Sequence, residues 1–248
     1  MNVFGAFTFG ALIKTFLPGF VWLAALVLGE TQLAPWLGWP SWGHYVIAKE
    51  YQTSATVLAV PLSILLGLIS NILVFMGIND NLVRKPVRVK NAPLFELFDE
   101  LSALLRARCW SAIGCIDASR AGAFKDNIDP EQLLLHKIGV STIGYIREQY
   151  WFHLEFQMNL WLSITVLSAA LCGYLIGSQT PTRAILIVAV YAFASWVLIS
   201  AARKNYCRHI EKMASMMAAV LAGADKDPAP AARGWFTPEV VSKFNKHA

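Results

Sequence analysis

Glu30 is the first residue in this sequence that bears on chemistry. It stands alone in residues 15–48, which hold no other Asp, Glu, Lys or Arg. A carboxylate in hydrocarbon is costly unless it is hydrated, protonated or partnered, so Glu30 is a candidate intramembrane acid or a residue at headgroup depth. Lys204, Arg208 and Lys212 recur every four residues and therefore share one face of a helix. Together with Arg84, Lys85 and Arg88 they are candidates for binding anionic lipid or an anionic ligand. No phosphate-binding loop accompanies them. The five histidines are scattered. Cys207 and His209 stand at i and i+2, on different faces of a helix, so a metal site with His153 is not expected. GxSxG, HExxH and Walker patterns are absent, as is any paired-acid motif in a span. The sequence therefore predicts neither an enzyme nor a cofactor. Cys109, Cys115, Cys172 and Cys207 have no zinc or disulfide spacing and read as reduced, structural residues.

A second set of residues concerns packing. Ala169, Gly173 and Gly177 recur at four-residue intervals, as do Ser63, Gly67 and Asn71. Small residues at this spacing let helices approach closely where the hydrophobic effect does not drive association, and an asparagine can hydrogen-bond across the contact. Both stripes suit packing within one chain or between copies, and a polar stripe can also line a pore. If the contact is between copies, Gly173→Leu should weaken assembly.

The elements that must hold these residues are apolar helices. Of 248 residues, 56% are hydrophobic and only 15% charged, against about 25% charged in an average soluble domain. Mean hydropathy is +0.48. This excludes a disordered tail, a coiled coil and an ordinary soluble enzyme. Charge-free runs cover residues 51–79, 156–182 and 184–202. Each supplies the roughly 20 apolar residues that cross a bilayer. With the run broken by Glu30, they predict four spans, at about 15–36, 54–77, 158–177 and 184–202. The fold class is thus all-α, a polytopic membrane protein with four transmembrane helices and a small helical cytosolic layer. Pro18-Gly19 suits a bend or an N-terminal segment, 1–14, at the membrane surface. No basic region precedes the first apolar run, so a cleaved signal peptide is not expected.

Charge placement predicts orientation. With both termini inside, nineteen of the 21 Lys and Arg fall on the cytosolic side, and only Lys49 and Arg183 fall outside. This predicts a multi-pass protein of the inner (cytoplasmic) membrane. Trp36, Trp39, Trp42 and Tyr45 crowd the external loop of the first hairpin, 15–77, and Tyr150, Trp151 and Trp161 flank the inner end of the third span, as interfacial belts do.

Between the hairpins, residues 78–157 carry ten basic and ten acidic side chains. Direct nucleic-acid binding is not expected from a neutral segment. Leu94, Leu97, Phe98, Leu101, Leu104 and Leu105 follow helical spacing after Pro93. A second helix is expected over 131–137, and a third from about 141 into the second hairpin, 158–202. The loop of about six residues in that hairpin makes its two helices antiparallel, with facing residues whose numbers sum to about 360. That register sets Glu148 near Lys212. A helix over 203–224 and a linker with a short terminal helix, 225–248, complete the chain. Trp235, Phe236, Val240, Val241 and Phe244 give that terminal helix an apolar face for docking on the chain itself, a neighbour, a partner or the membrane.

A long helix leading into a membrane hairpin and out into a second helix spans residues 141–222. Its inner ends are marked by Tyr150-Trp151-Phe152-His153 and Arg203-Lys204-Asn205-Tyr206. This architecture resembles the two-span membrane effectors of bacterial conflict systems. The additional hairpin at 1–77 departs from that pattern. The resemblance implies an antiviral-defence role. The first expectation is a homo-oligomeric inner-membrane effector or channel that couples a cytosolic partner or signal to the membrane, with membrane lipids as further partners. The alternatives are a non-conducting anchor or scaffold for a soluble cytosolic partner, and an undetected membrane enzyme or transporter.

Overall fold

The computed structural model describes residues 9–41, 52–112, 134, 140–177 and 181–223. Every element among them is helical, and the fold is all-α. The helices are α1 (Phe9–Leu37), α2 (Gln52–Leu73), α3 (Lys85–Lys90), α4 (Ala92–Ala112), α5 (Val140–Ile146), α6 (Phe152–Gly177) and α7 (Pro181–Gly223). Three wider, π-type helical segments, Val74–Ile78, Asp80–Arg84 and Arg147–Trp151, lie between them. Four stretches are long and apolar enough to cross a membrane: Lys14–Leu37, Val57–Ile78, Thr142–Gly177 and Thr182–Gly223. The protein is therefore a membrane protein; the expected spans 15–36, 158–177 and 184–202 each lie inside one of these stretches, and the expected span 54–77 overlaps Val57–Ile78, which begins three residues later.

α1 starts by Phe9 and runs through Pro18, so Pro18-Gly19 does not end the helix. It stops at Gly38, whose φ of +68° is the left-handed conformation that glycine adopts without a Cβ penalty. The Trp39 amide then donates to the Ala34 carbonyl at 3.1 Å and satisfies one of the last orphan acceptors. α2 gives way to the first wide-turn segment, in which Gly77 leaves helical geometry. Extra backbone in a helix of this kind is often found at functional sites.

The chain divides into two compact units. The first comprises Met1–Val89 and Gln149–Tyr206. In it α1 packs with close backbone approach against both α2 and α6. α7 meets α6 mainly through longer side chains: Trp161 Nε1 donates to Ser195 Oγ at 3.2 Å, Thr165 and Tyr191 share a hydroxyl hydrogen bond of 3.1 Å, and Asn205 Nδ2 donates to Gln157 Oε1 at 3.1 Å. These pairs match the antiparallel register expected of the second hairpin. The opposite face of α7 stays apolar and open, with Ile185, Phe193 and Trp196 about two-thirds exposed.

The second unit comprises Lys90–Glu148 and Cys207–Ala248. Its core joins Leu101 and Leu105 of α4, Leu134, Ile143 of α5, and Met213, Ala214, Met217 and Leu221 of α7. The leucine spacing read in residues 94–105 therefore does mark a buried face, although Phe95 is buried as well. The amides of Leu94 and Phe95 both donate to the Asn91 carbonyl at the start of α4. His209 belongs to this unit, beyond the apolar run that ends at Ala202. Burial, helped by the charge of Arg147, lowers its imidazole from the ordinary value of 6.5 to about 4. Between those pH values the unfolded histidine binds a proton and the folded one does not. Stability is thus full above pH 6.5 and falls as pH drops through the window from 6.5 to 4. Thermal unfolding across this range should show the decline in the native chain and a weaker one in His209→Leu. Cys207 is free, and burial together with the nearby Glu211 carboxylate raises its thiol, so it is protonated at neutral pH.

Of the expected segments, residues 1–8, the external loop from 42 to 51, the helix over 131–137 apart from Leu134, and 224–248 lie outside the described residues. Trp235, Phe236, Val240, Val241 and Phe244 are among them.

Candidate functional site

The first unit gathers its polar side chains in two places. One is a cluster of Asn and Ser inside the contact of α2 and α6. Asn159 is at its centre and is only 3% exposed. Its Nδ2 donates to Asn71 Oδ1 at 3.0 Å, its Oδ1 accepts from Ser70 Oγ at 3.4 Å, and its backbone carbonyl accepts from Ser163 Oγ at 2.7 Å. Ser70 and Ser163 are fully buried. An asparagine in a span needs such partners because lipid offers none.

The α1–α2 contact borders this cluster and depends on two glycines. A Cβ on Gly19 would lie 2.7 Å from the Gly67 nitrogen and nearer still to the Ser63 carbonyl. A Cβ on Gly67 would lie 2.8 Å from the Thr15 carbonyl carbon and collide with its oxygen. The two backbones touch directly, as small-residue spacing allows. The stripe of Ser63, Gly67 and Asn71 is thus engaged within one chain, Ser63 and Gly67 toward α1 and Asn71 toward Asn159. In the second stripe, a Cβ on Gly173 would meet Gln32 Oε1 of the same chain at 2.9 Å, a side-chain end that can shift. Gln32 Nε2 donates to the Ala170 carbonyl at 2.9 Å, so Gln32 links α1 to α6. Ala169 is exposed, and nothing lies within 4 Å of a Cβ on Gly177. Glu30, half-buried near the end of α1, accepts from Ser41 Oγ at 3.1 Å.

The second place is a charged and aromatic collar where α1 and α6 begin and α2 and the apolar run of α7 end. Lys14 forms an ion pair with Glu155, and its ammonium lies 3.9 Å from the centroid of the Phe152 ring. Trp151 Nε1 donates to the other oxygen of Glu155 at 2.8 Å. Trp151 in turn packs on Phe75, with centroids 5.9 Å apart, and the Arg84 guanidinium lies 5.6 Å from its ring. Arg84 also pairs with Asp80 at 3.1 Å. Arg203 Nε donates to the Leu82 carbonyl at 2.9 Å. The collar therefore holds Arg84 of the basic set, and Arg203 ties the segment before Lys204 to the segment before Lys85. Lys85, Arg88 and Lys204 are exposed. Arg208 and Lys212 are exposed residues of the second unit.

Between the two wide-turn segments of the collar stands Asn79, 1% exposed. Neither of its amide atoms finds a hydrogen-bond partner among the described residues. A buried, unmatched amide is a cost to the fold, and such departures concentrate where function demands them. Asn79→Leu removes that cost, so it is expected to leave the melting temperature in detergent unchanged or to raise it. A clear loss of stability would show that the amide has a partner in the membrane.

Sequence reasoning did not find Lys14, Gly19, Gln32, Glu155 or Asn159. Signals for two existed: Asn159 and Ser163 stand four residues apart, and Gly19 lies in a charge-free run. The Lys14–Glu155 pair had no local signal. Among the described residues no group of three His, Cys, Asp or Glu side chains could hold a metal ion. Comparison with protein-family models, with curated proteins and with solved structures finds no match for this chain.

Proposed function

We propose that this chain is a homo-oligomeric effector of the inner membrane, in which α7 couples a cytosolic helical unit to the membrane. The observation that carries this reading is the composition of α7. One uninterrupted helix, Pro181–Gly223, supplies an apolar span and then Met213, Ala214, Met217 and Leu221 of the second unit's core. A signal received by that unit acts on the residues of a helix that also lies in the membrane. The side-chain hydrogen bonds that join α7 to α6, and its exposed face of Ile185, Phe193 and Trp196, suit an element that shifts and meets a neighbouring copy. The concentration of basic residues after the second and fourth spans supports cytosolic termini. The resemblance of residues 141–222 to conflict-system effectors makes phage infection a reasonable trigger, which the genomic neighbourhood of the gene would test.

The test is ion flux from proteoliposomes together with native mass. Coupling predicts an oligomer whose flux changes when Met217→Ser loosens the second unit's core. A second reading, a non-conducting anchor for a soluble partner, is favoured by the Asn71–Asn159 bond, which directs the polar groups of α2 and α6 into the chain rather than toward a pore. A monomeric mass with no flux from either protein would sink the effector reading and leave the anchor.

A further inference from the structure

We propose that the exposed basic residues bordering the collar of the first unit, Lys85 and Lys204, form a binding site for the phosphate headgroup of an anionic phospholipid. Two segments far apart in sequence form it. The Arg203 guanidinium docks on the Leu82 carbonyl at 2.9 Å, which brings the Arg203-Lys204 pair to the stretch that carries Arg84, Lys85 and Arg88. Asp80 is the sole acid of residues 79–90, and Arg84 holds it. Lys85 leans on a neutral group, Asn81 Oδ1, at 2.9 Å and keeps its charge for an external anion. Lys85 and Lys204 are both exposed, and each lies a few residues past the end of an apolar run.

The surroundings select a lipid over a soluble anion. Met76, 78% exposed, lies in the wide-turn segment just before the basic stretch and offers an apolar surface to an acyl chain. Trp151, which packs on both Phe75 and Arg84, is the type of side chain that settles at headgroup level. A basic cluster beside the end of a span is the recognised chemistry for anionic headgroups. The site joins the end of the first hairpin to the end of the second, so a bound headgroup clamps α7 beside α3.

The test uses the full chain in a non-ionic detergent, with phosphatidylglycerol or phosphatidylcholine added and the retained lipid counted by native mass spectrometry. Phosphatidylglycerol should be retained and phosphatidylcholine should not. Each basic side chain near the surface is worth about fivefold in affinity, so Lys85→Gln with Lys204→Gln should weaken retention by roughly 25-fold. Lys85→Arg with Lys204→Arg should restore it, which separates loss of charge from loss of fold. Arg183→Gln, at the start of α7, should change nothing. Equal retention of the two lipids, an unaffected Gln double variant, or displacement of the lipid by millimolar inorganic phosphate would each overturn the proposal.

Discussion

Gly67→Leu and Gly19→Leu are each expected to abolish folding of the first unit, leaving little monodisperse protein after detergent extraction. At both positions the atoms that a Cβ would strike are backbone: the Ser63 carbonyl and Gly67 nitrogen for Gly19, the Thr15 carbonyl for Gly67. Backbone cannot rotate away as a side chain can. Ordinary overpacking costs about 1–3 kcal/mol through side-chain and small backbone shifts. Here α1 and α2 must separate, and α1 is the helix that packs against both α2 and α6. Even Ala at either position should lower the melting temperature clearly. Gly177→Leu is the control, because nothing lies within 4 Å of a Cβ there. If Gly67→Leu elutes and melts like the native protein, the α1–α2 crossing described above is wrong.

The second large effect is expected at the Lys14–Glu155 pair. The Lys14 and Glu155 side chains are 21% and 14% exposed, so each charge has given up most of its water. Lys14→Met leaves the carboxylate with the Trp151 N–H but without its counter-charge. Breaking a buried pair by removing one partner costs about 3–5 kcal/mol, and the partial exposure here places the effect near the lower end. Replacing both, as Lys14→Met with Glu155→Gln, should recover much of the loss, because the uncompensated charge goes with it. Thermal unfolding of the native chain, the two single variants and the double variant closes the cycle. Additive losses would show that the two groups do not interact.

The spans were legible in the sequence because their signal is local: about 20 residues without charge can be read in one window. The same holds for the leucine face of α4, where Leu101 and Leu105 do enter a core. Side-chain spacing also identified Ser63, Gly67 and Gly173 as contact residues, but spacing on one helix does not name the partner. Only the fold shows that Ser63 and Gly67 meet α1 and that Gly173 meets Gln32. The collar was the least legible part. Lys14 and Glu155 are 141 positions apart, and each alone reads as an ordinary residue flanking a span. Arg84 read as a lipid-facing base, whereas Asp80 and Trp151 engage it within the chain. Asn159 was hidden for a similar reason, since its partners Ser70 and Asn71 lie on another helix.

The Lys14–Glu155 pair also sets a timetable for biosynthesis. Lys14 is made 141 residues before its carboxylate. At about 5–20 residues per second, its ammonium waits on the order of ten seconds, uncompensated, until Glu155 has been made. The α1–α2 contact needs no such delay, because its glycines and its carbonyls are all present once residue 67 has been synthesised. The first hairpin can therefore close early, with Lys14 held at the membrane–water boundary, and the arrival of Glu155 then ties the third apolar helix to a partner that is already in place.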